Sequence, residues 1–88
     1  DAPGNFAYVT DAANDAVIVV DLRDFKVVGR ISVGRYPHGL RLSPDGAVIA
    51  VANMKSGAVS LVELASRKEI ASVEVGHGPV QVAFDGSG

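Results

Sequence analysis

Two stretches of this chain decide its fold: "AVIVVDLRDFKVVGRISVG" at residues 16–34 and "AVSLVELASRKEIASVEVG" at residues 58–76. They align without a gap at an offset of 42 residues. Both open on Ala-Val, both carry a lysine at the same place (Lys26 and Lys68), and both close on Val-Gly. A fixed offset of this length is typical of a repeat architecture.

The repeat extends outward from these stretches, since Val9 falls on Val51 and Pro37 on Pro79. Within each unit apolar residues recur with a period of two, which indicates β-strands. Turn-forming residues separate the apolar runs, as in "SPDG" at 43–46 and in the Gly-x-x-Pro segments at 34–37 and 76–79. The predicted strands are 6–11, 16–22, 26–33, 38–43, 48–53, 58–64, 68–75 and 80–84.

Four short antiparallel strands in each 42-residue repeat are the pattern of a β-propeller blade. A β-sandwich also has short alternating strands, but it does not require an ungapped repeat. The prediction is therefore an all-β fold made of four-stranded propeller blades, with the 88 residues forming a partial propeller.

Composition excludes several classes of function. Apolar residues make up 48% of the chain, so a packed core is expected. The net charge of −2 leaves no basic surface for nucleic acid, and no apolar run approaches the roughly 18 residues of a membrane span. Without cysteine the chain has no disulfide, no zinc–thiolate site and no thiol nucleophile.

Several segments resemble the YVTN-type β-propeller repeat: "YVTD" at 8–11, "AVIVVD" at 16–21 and "PHGLRLSPDG" at 37–46. In that family the innermost strand of a blade follows Gly-x-x-Pro. The resemblance therefore implies that residues 1–88 are part of one propeller domain. It divides that domain into three strands of a first blade (6–33), a complete blade (37–76) and the inner strand of the next (79–84).

Two blades cannot close a ring, so partners are expected. One alternative is a longer propeller of about six to eight blades, in which the remaining blades complete the ring. The other is self-assembly, in which strand 79–84 of one copy completes the three-stranded blade 6–33 of the next.

Propellers place their sites where loops meet at one end of the central channel, and loops on a rigid scaffold favour function. On the family pattern, flanking loops bring Asn14, Asp15, Met54 and Lys55 to this end. We take as candidate ligand-binding residues Arg35, Tyr36, His38, Arg41 and His77.

Three roles are open to His38. It is a plain turn residue, a contact to a ligand or cofactor, or a general base, although no nucleophile is identifiable nearby. The stretch "RYPHGLRLSPDG" (35–46) is similar to the segment that bears the proximal iron ligand in the haem-d1 propeller of nitrite reductases. The equivalent residue in the second repeat is Val80, so the fold itself does not require histidine.

The main functional hypothesis is a binding or interaction scaffold for a protein or small-molecule ligand of unknown identity. The alternative is part of a periplasmic oxidoreductase, or of a haem- or quinone-binding propeller, with His38 at the channel mouth. A hydrolase or lyase with a metal at the mouth is a third hypothesis, but two histidines leave a metal site incomplete. No catalytic or metal-binding residue is assigned, and the resemblance implies a periplasmic or extracellular location.

Overall fold

The computed structural model describes residues 5–86, which form two antiparallel sheets. Strands β1, β2 and β3 make one sheet, and β4, β5, β6 and β7 make the other, each in sequence order. The bounds are β1 Phe6–Asp11, β2 Ala16–Asp21, β3 Lys26–Ser32, β4 Pro37–Leu42, β5 Val48–Asn53, β6 Ala58–Glu63 and β7 Lys68–Glu74. These seven strands confirm the first seven predicted strands to within one residue at each end. No helix among residues 5–86 is long and apolar enough to cross a membrane.

The pairing pattern repeats along with the sequence. Val9 pairs with Ile18 in the first sheet, and Val51 pairs with Ser60 at the equivalent place in the second. A register shift follows Val19 in the first sheet and recurs after Leu61, its equivalent 42 residues later. The two sheets are therefore copies of one structural unit, and the predicted all-β partial propeller is confirmed.

The eighth predicted strand, 80–84, is not formed. Residues 77–84 carry no strand, although Gly39 of β4 donates its N–H to the carbonyl of Val80 over 2.8 Å. A strand needs a neighbour in its own sheet, and within residues 5–86 no further strand follows to supply one. The assignment of 79–84 to a third blade therefore stays a prediction.

The hydrophobic core lies between the two sheets. Val17 and Val19 of β2 are completely buried, as are Ile49 and Val51 of β5 on the facing sheet. The same cluster includes the buried Ile31, Val62 and Leu64, with Phe6, Tyr8, Val33 and Leu40 packed against it. Face-to-face packing of this kind is how one propeller blade buries a face against the next.

The face of the second sheet that points away from the first has the same apolar pattern, but no sheet among residues 5–86 packs on it. Val59 and Leu61 are the repeat equivalents of Val17 and Val19, and both are only half-buried. Val17 and Val19 are more buried because the second sheet covers them, whereas no sheet among residues 5–86 covers Val59 and Leu61.

A chain of side-chain bonds holds the "SPDG" turn. Ser43 donates its hydroxyl to the Asp45 carboxylate (2.7 Å), which also accepts the N–H of Ala47 (3.0 Å), while Val48 donates its N–H to the Ser43 oxygen (3.1 Å). The bond from the Ala47 N–H, followed by that from the Ser43 hydroxyl, holds the pKa of Asp45 below its usual value. Ser43 is thus a turn residue.

The core packing is tested by truncating Val19, which is buried between the sheets, and its repeat equivalent Leu61, which is not. Val19→Ala is expected to lower the free energy of unfolding by about 2 kcal/mol, because it leaves a cavity between the sheets. Leu61→Ala removes more atoms but is expected to cost less than about 1 kcal/mol, because that side chain is half-exposed. Urea unfolding of both variants measures the difference. Equal losses, or a larger loss for Leu61→Ala, would contradict this account of the core.

The Asp45 turn makes stability depend on pH. Because the pKa of Asp45 is lower in the folded chain than its ordinary value of 3.8, its contribution is complete above that value and disappears as pH falls through the folded pKa. We expect Asp45→Asn to be less stable than the unaltered chain at pH 7. The difference in the free energy of unfolding between the two is expected to disappear as pH falls below 3.8. Urea unfolding across this range measures it. A difference in the free energy of unfolding that stays constant with pH would contradict a stabilising role for the Asp45 charge in this turn.

Candidate functional site

Four connecting segments meet at one end of the two sheets: residues 12–15, 33–36, 54–57 and 75–78. Backbone bonds join them in order. Val33 donates to the carbonyl of Asp15 (3.1 Å), Lys55 to that of Arg35 (3.1 Å), and Gly76 to that of Gly57 (3.2 Å). We call this cluster the loop end. Its bonds fix the backbone that carries three of the five candidate residues, Arg35, Tyr36 and His77.

Two residues of the loop end adopt left-handed backbone conformations that side chains normally avoid. Asp15 has φ 55° and Tyr36 has φ 57°. The Asp15 carboxylate accepts the N–H of Tyr36 over 2.9 Å, so the two strained residues support each other. An aromatic side chain in this region is uncommon and costs about 1–2 kcal/mol.

The second repeat shows what the fold alone requires at these positions. The equivalents of Asp15 and Tyr36 are Gly57 and Gly78, with φ 65° at both. Glycine adopts this conformation without strain. Both copies of the repeat thus share this backbone geometry, but only the first copy has side chains at these two positions. Strain that is retained where glycine would serve points to a function of the side chain.

One basic side chain lies over the Tyr36 ring, and another belongs to the residue before it in sequence. The Lys55 ammonium lies 4.9 Å from the centre of the Tyr36 ring, a cation–π distance. Arg35 is exposed and its backbone is fixed, because its N–H donates to the Ser56 hydroxyl oxygen over 2.6 Å.

The carboxylates of Asp11, at the end of β1, and of Asp15, in the first loop, both accept hydrogen bonds. Asp15 accepts the Tyr36 N–H, while Asp11 accepts the Asn14 amide over 2.9 Å and lies 3.7 Å from Arg30. Within the described part of the chain, neither Arg35 nor Lys55 forms an ion pair with a carboxylate.

His38 is the second residue of the inner strand β4 and is exposed. Its carbonyl accepts the hydroxyl of Thr10 from β1 over 2.9 Å, and the next residue, Gly39, bonds to Val80. A side chain at Gly39 would overlap the Val80 carbonyl, so this position needs glycine. His38 is thus held on a backbone that is anchored on both sides, with its imidazole turned to solvent.

The other two candidate residues lie apart from Tyr36. His77 is exposed at the far side of the loop end, between two glycines with positive φ. Arg41 pairs with Ala50 farther along β4, about 13 Å of strand from Pro37 at roughly 3.3 Å per residue. The structure therefore groups Arg35, Tyr36 and Lys55, while His77 and Arg41 lie apart from them.

Two features were not foreseen from the sequence. A groove of about 440 Å³ lies between β3 and β7 at the outer side, lined by Arg30, Ile31, Ser32, Arg67, Lys68 and Glu69. Inside the second sheet the buried Asn53 amide donates to Ser60 over 2.8 Å, and Ser60 donates to Glu69. No sequence motif marks either feature, because each joins residues from different strands.

Among residues 5–86 there is no group of three or more histidine or acidic side chains that would hold a metal ion.

Comparison with known proteins places the fold. The family model described as lactonase, seven-bladed β-propeller, matches residues 1–84. No curated protein matches the chain.

Two solved structures are similar over most of the chain. Hydrazine synthase of Kuenenia stuttgartiensis is 32% identical, with a TM-score of 0.86, over 94% of this chain and 24% of that one. NirN, a dihydro-haem d1 dehydrogenase solved in complex with DHE, is 28% identical, with a TM-score of 0.75, over 88% of this chain and 16% of that one. The chain therefore spans about a quarter or less of these larger proteins.

Proposed function

The chain belongs to the lactonase family of seven-bladed β-propellers, and from that premise we propose that it is a binding scaffold whose loop end holds a small ligand with anionic groups. A propeller fold is compatible with many activities, so the ligand has to be argued from the site. We assign no catalytic residue to these 88 residues.

The observation that carries the proposal is Tyr36. The repeat uses glycine at this position, at Gly78, yet the first copy holds a tyrosine in the same left-handed conformation. The ring lies beside Lys55 and next to Arg35 in sequence. A rigid aromatic face with two basic groups suits a planar or carboxylate-bearing ligand, because arginine binds carboxylates through its planar fork.

A second candidate is a haem-type cofactor with His38 as a contact. It is supported by the exposed imidazole on an anchored backbone, and by likeness to NirN, which was solved in complex with DHE. The residues present fit such a group in part: His38 offers a ring nitrogen, and Arg35 and Lys55 offer partners for carboxylates. When bound, a haem would supply redox chemistry, and this chain would hold and orient it.

The partial propeller is completed by other blades or other chains, since both sheets have faces that nothing among residues 5–86 covers. We further propose a periplasmic or extracellular location, on the resemblance to exported YVTN-type repeats.

Replacing Tyr36 by glycine separates binding from stability. In Tyr36→Gly the backbone strain is relieved, so the free energy of unfolding is expected to stay equal or rise by up to about 1 kcal/mol. Citrate, used as the anionic probe, is expected to bind the variant at least about fivefold more weakly, a loss of about 1 kcal/mol. Amide NMR titration measures the affinity, with shifts at Arg35 and Lys55.

Phe25→Gly is the matched control, because Phe25 is also an aromatic residue with positive φ but lies outside the loop end. It should leave citrate binding unchanged. Equal citrate affinity in the unaltered chain and in Tyr36→Gly, or no citrate shifts at the loop end, would reject the anionic-ligand proposal.

The haem candidate is tested with haemin, followed by its visible absorption band. If His38 contacts the iron, the unaltered chain shifts this band, His38→Ala loses the shift, and His77→Ala keeps it. A shift that survives His38→Ala, or no shift in the unaltered chain, removes the second candidate.

A further inference from the structure

The groove between β3 and β7 lies on the outer side of the two sheets, away from the loop end. Its volume of about 440 Å³ falls within the range of small-molecule pockets, roughly 300–1,000 Å³. Both strands are the outermost of their sheets, each paired on one side only. Further blades of a ring pack on the faces of sheets, so they would leave this outer groove open.

One carboxylate of the groove is held by a chain of polar side chains that crosses the second sheet. The Asn53 amide donates to the Ser60 hydroxyl oxygen over 2.8 Å, and Ser60 donates its hydroxyl to the Glu69 carboxylate. Asn53 and Ser60 are completely buried, whereas Glu69 is exposed. Because a carboxylate accepts about four hydrogen bonds, Glu69 keeps acceptor capacity for a ligand.

The fold does not require this polar chain. One repeat earlier the same three positions hold Asp11, Ile18 and Val27, two of which have no polar side-chain atom. The chain also has a cost, because the buried Oδ1 atom of Asn53 has no hydrogen-bond partner among residues 5–86. Buried polar side chains that are kept at such a cost, and in one copy only, indicate a function for the carboxylate that they hold.

The groove also contains a guanidinium group whose position is well defined. Arg67 lies over the ring of Phe6 on the neighbouring sheet, with its guanidinium carbon 5.6 Å from the ring centre. A Cβ atom at Gly29 of β3 would lie 3.2 Å from one of the guanidinium nitrogens, so the glycine leaves room for this group. The repeat equivalents of Arg67 and Gly29 are Phe25 and Ala71, so this arrangement too is confined to one copy.

The other charged residues that line the groove are basic. Lys68 is exposed and is opposite Glu63 on β6, and Arg30 lies 3.7 Å from the Asp11 carboxylate. Exposed ion pairs of this kind are weak in water. A ligand that suits the groove therefore needs carboxylates for its cations, together with a cationic donor for Glu69, since a carboxylate only accepts hydrogen bonds.

We propose that the groove between β3 and β7 is a second ligand site, which binds a small molecule that carries an ammonium group together with carboxylates, as an acidic amino acid does. The ammonium group donates to Glu69, which Ser60 and Asn53 hold in place. The carboxylates are bound by Arg67 through its planar fork and by Lys68 as a point charge. This site is separate from the loop end and does not depend on the proposed function.

L-Glutamate and glutarate are the probes, because they share both carboxylates and only L-glutamate has an ammonium group. Amide NMR titration of the unaltered chain is expected to show shifts at Ile31, Ser32 and Lys68. L-Glutamate is expected to bind at least about fivefold more tightly than glutarate. Glu69→Gln is expected to lose this preference, because a neutral amide does not attract the ammonium group.

Glu74→Gln is the matched control, because Glu74 is also exposed on β7 but does not line the groove. It should keep the preference for L-glutamate, as should Tyr36→Gly, which alters only the loop end. Four results would overturn the proposal: equal binding of the two probes by the unaltered chain, no shifts at the groove, a preference that survives Glu69→Gln, or an equal loss in Glu74→Gln.

Discussion

Everything in this molecule depends on one constraint: a twisted four-stranded sheet has two faces, and an apolar face must be covered. The chain meets it by packing β2 against the next sheet, so that Val19 and Ile49 are fully buried together. Burial of this surface is the main favourable contribution to folding. It also fixes the order of the sheets, and that order brings the connecting loops to one end. The candidate site is thus a consequence of sheet packing.

Much of the fold was predictable because the physical signal is local. Apolar alternation determined seven strands to within a residue, and the repeat identified equivalent faces such as Val17 and Val59. The state of 79–84 was not predictable, because its sequence is that of a strand but pairing depends on a neighbour elsewhere. The outer groove and the buried bonds from Asn53 to Ser60 also join distant strands, so no local pattern marks them.

The position of the candidate residues in the fold was predictable, whereas their backbone conformations were not. Family resemblance located the loop that holds Arg35 and Tyr36. The positive φ of Tyr36 was not foreseen, although its alignment with Gly78 was the available signal. Positions that the two copies share serve the fold, so a site present in only one copy has to use positions where the copies differ. Tyr36 against Gly78 and His38 against Val80 are such differences, and the proposed function rests on them.

The packing of one sheet on the other is tested most directly by methyl NMR of the 88-residue chain. The account requires nuclear Overhauser contacts between the methyl groups of Val17 or Val19 and those of Ile49, Val51 or Val62, all members of one buried cluster. Contacts from Val17 and Val19 only to residues of their own sheet would contradict it, since the two repeats would then not be successive blades.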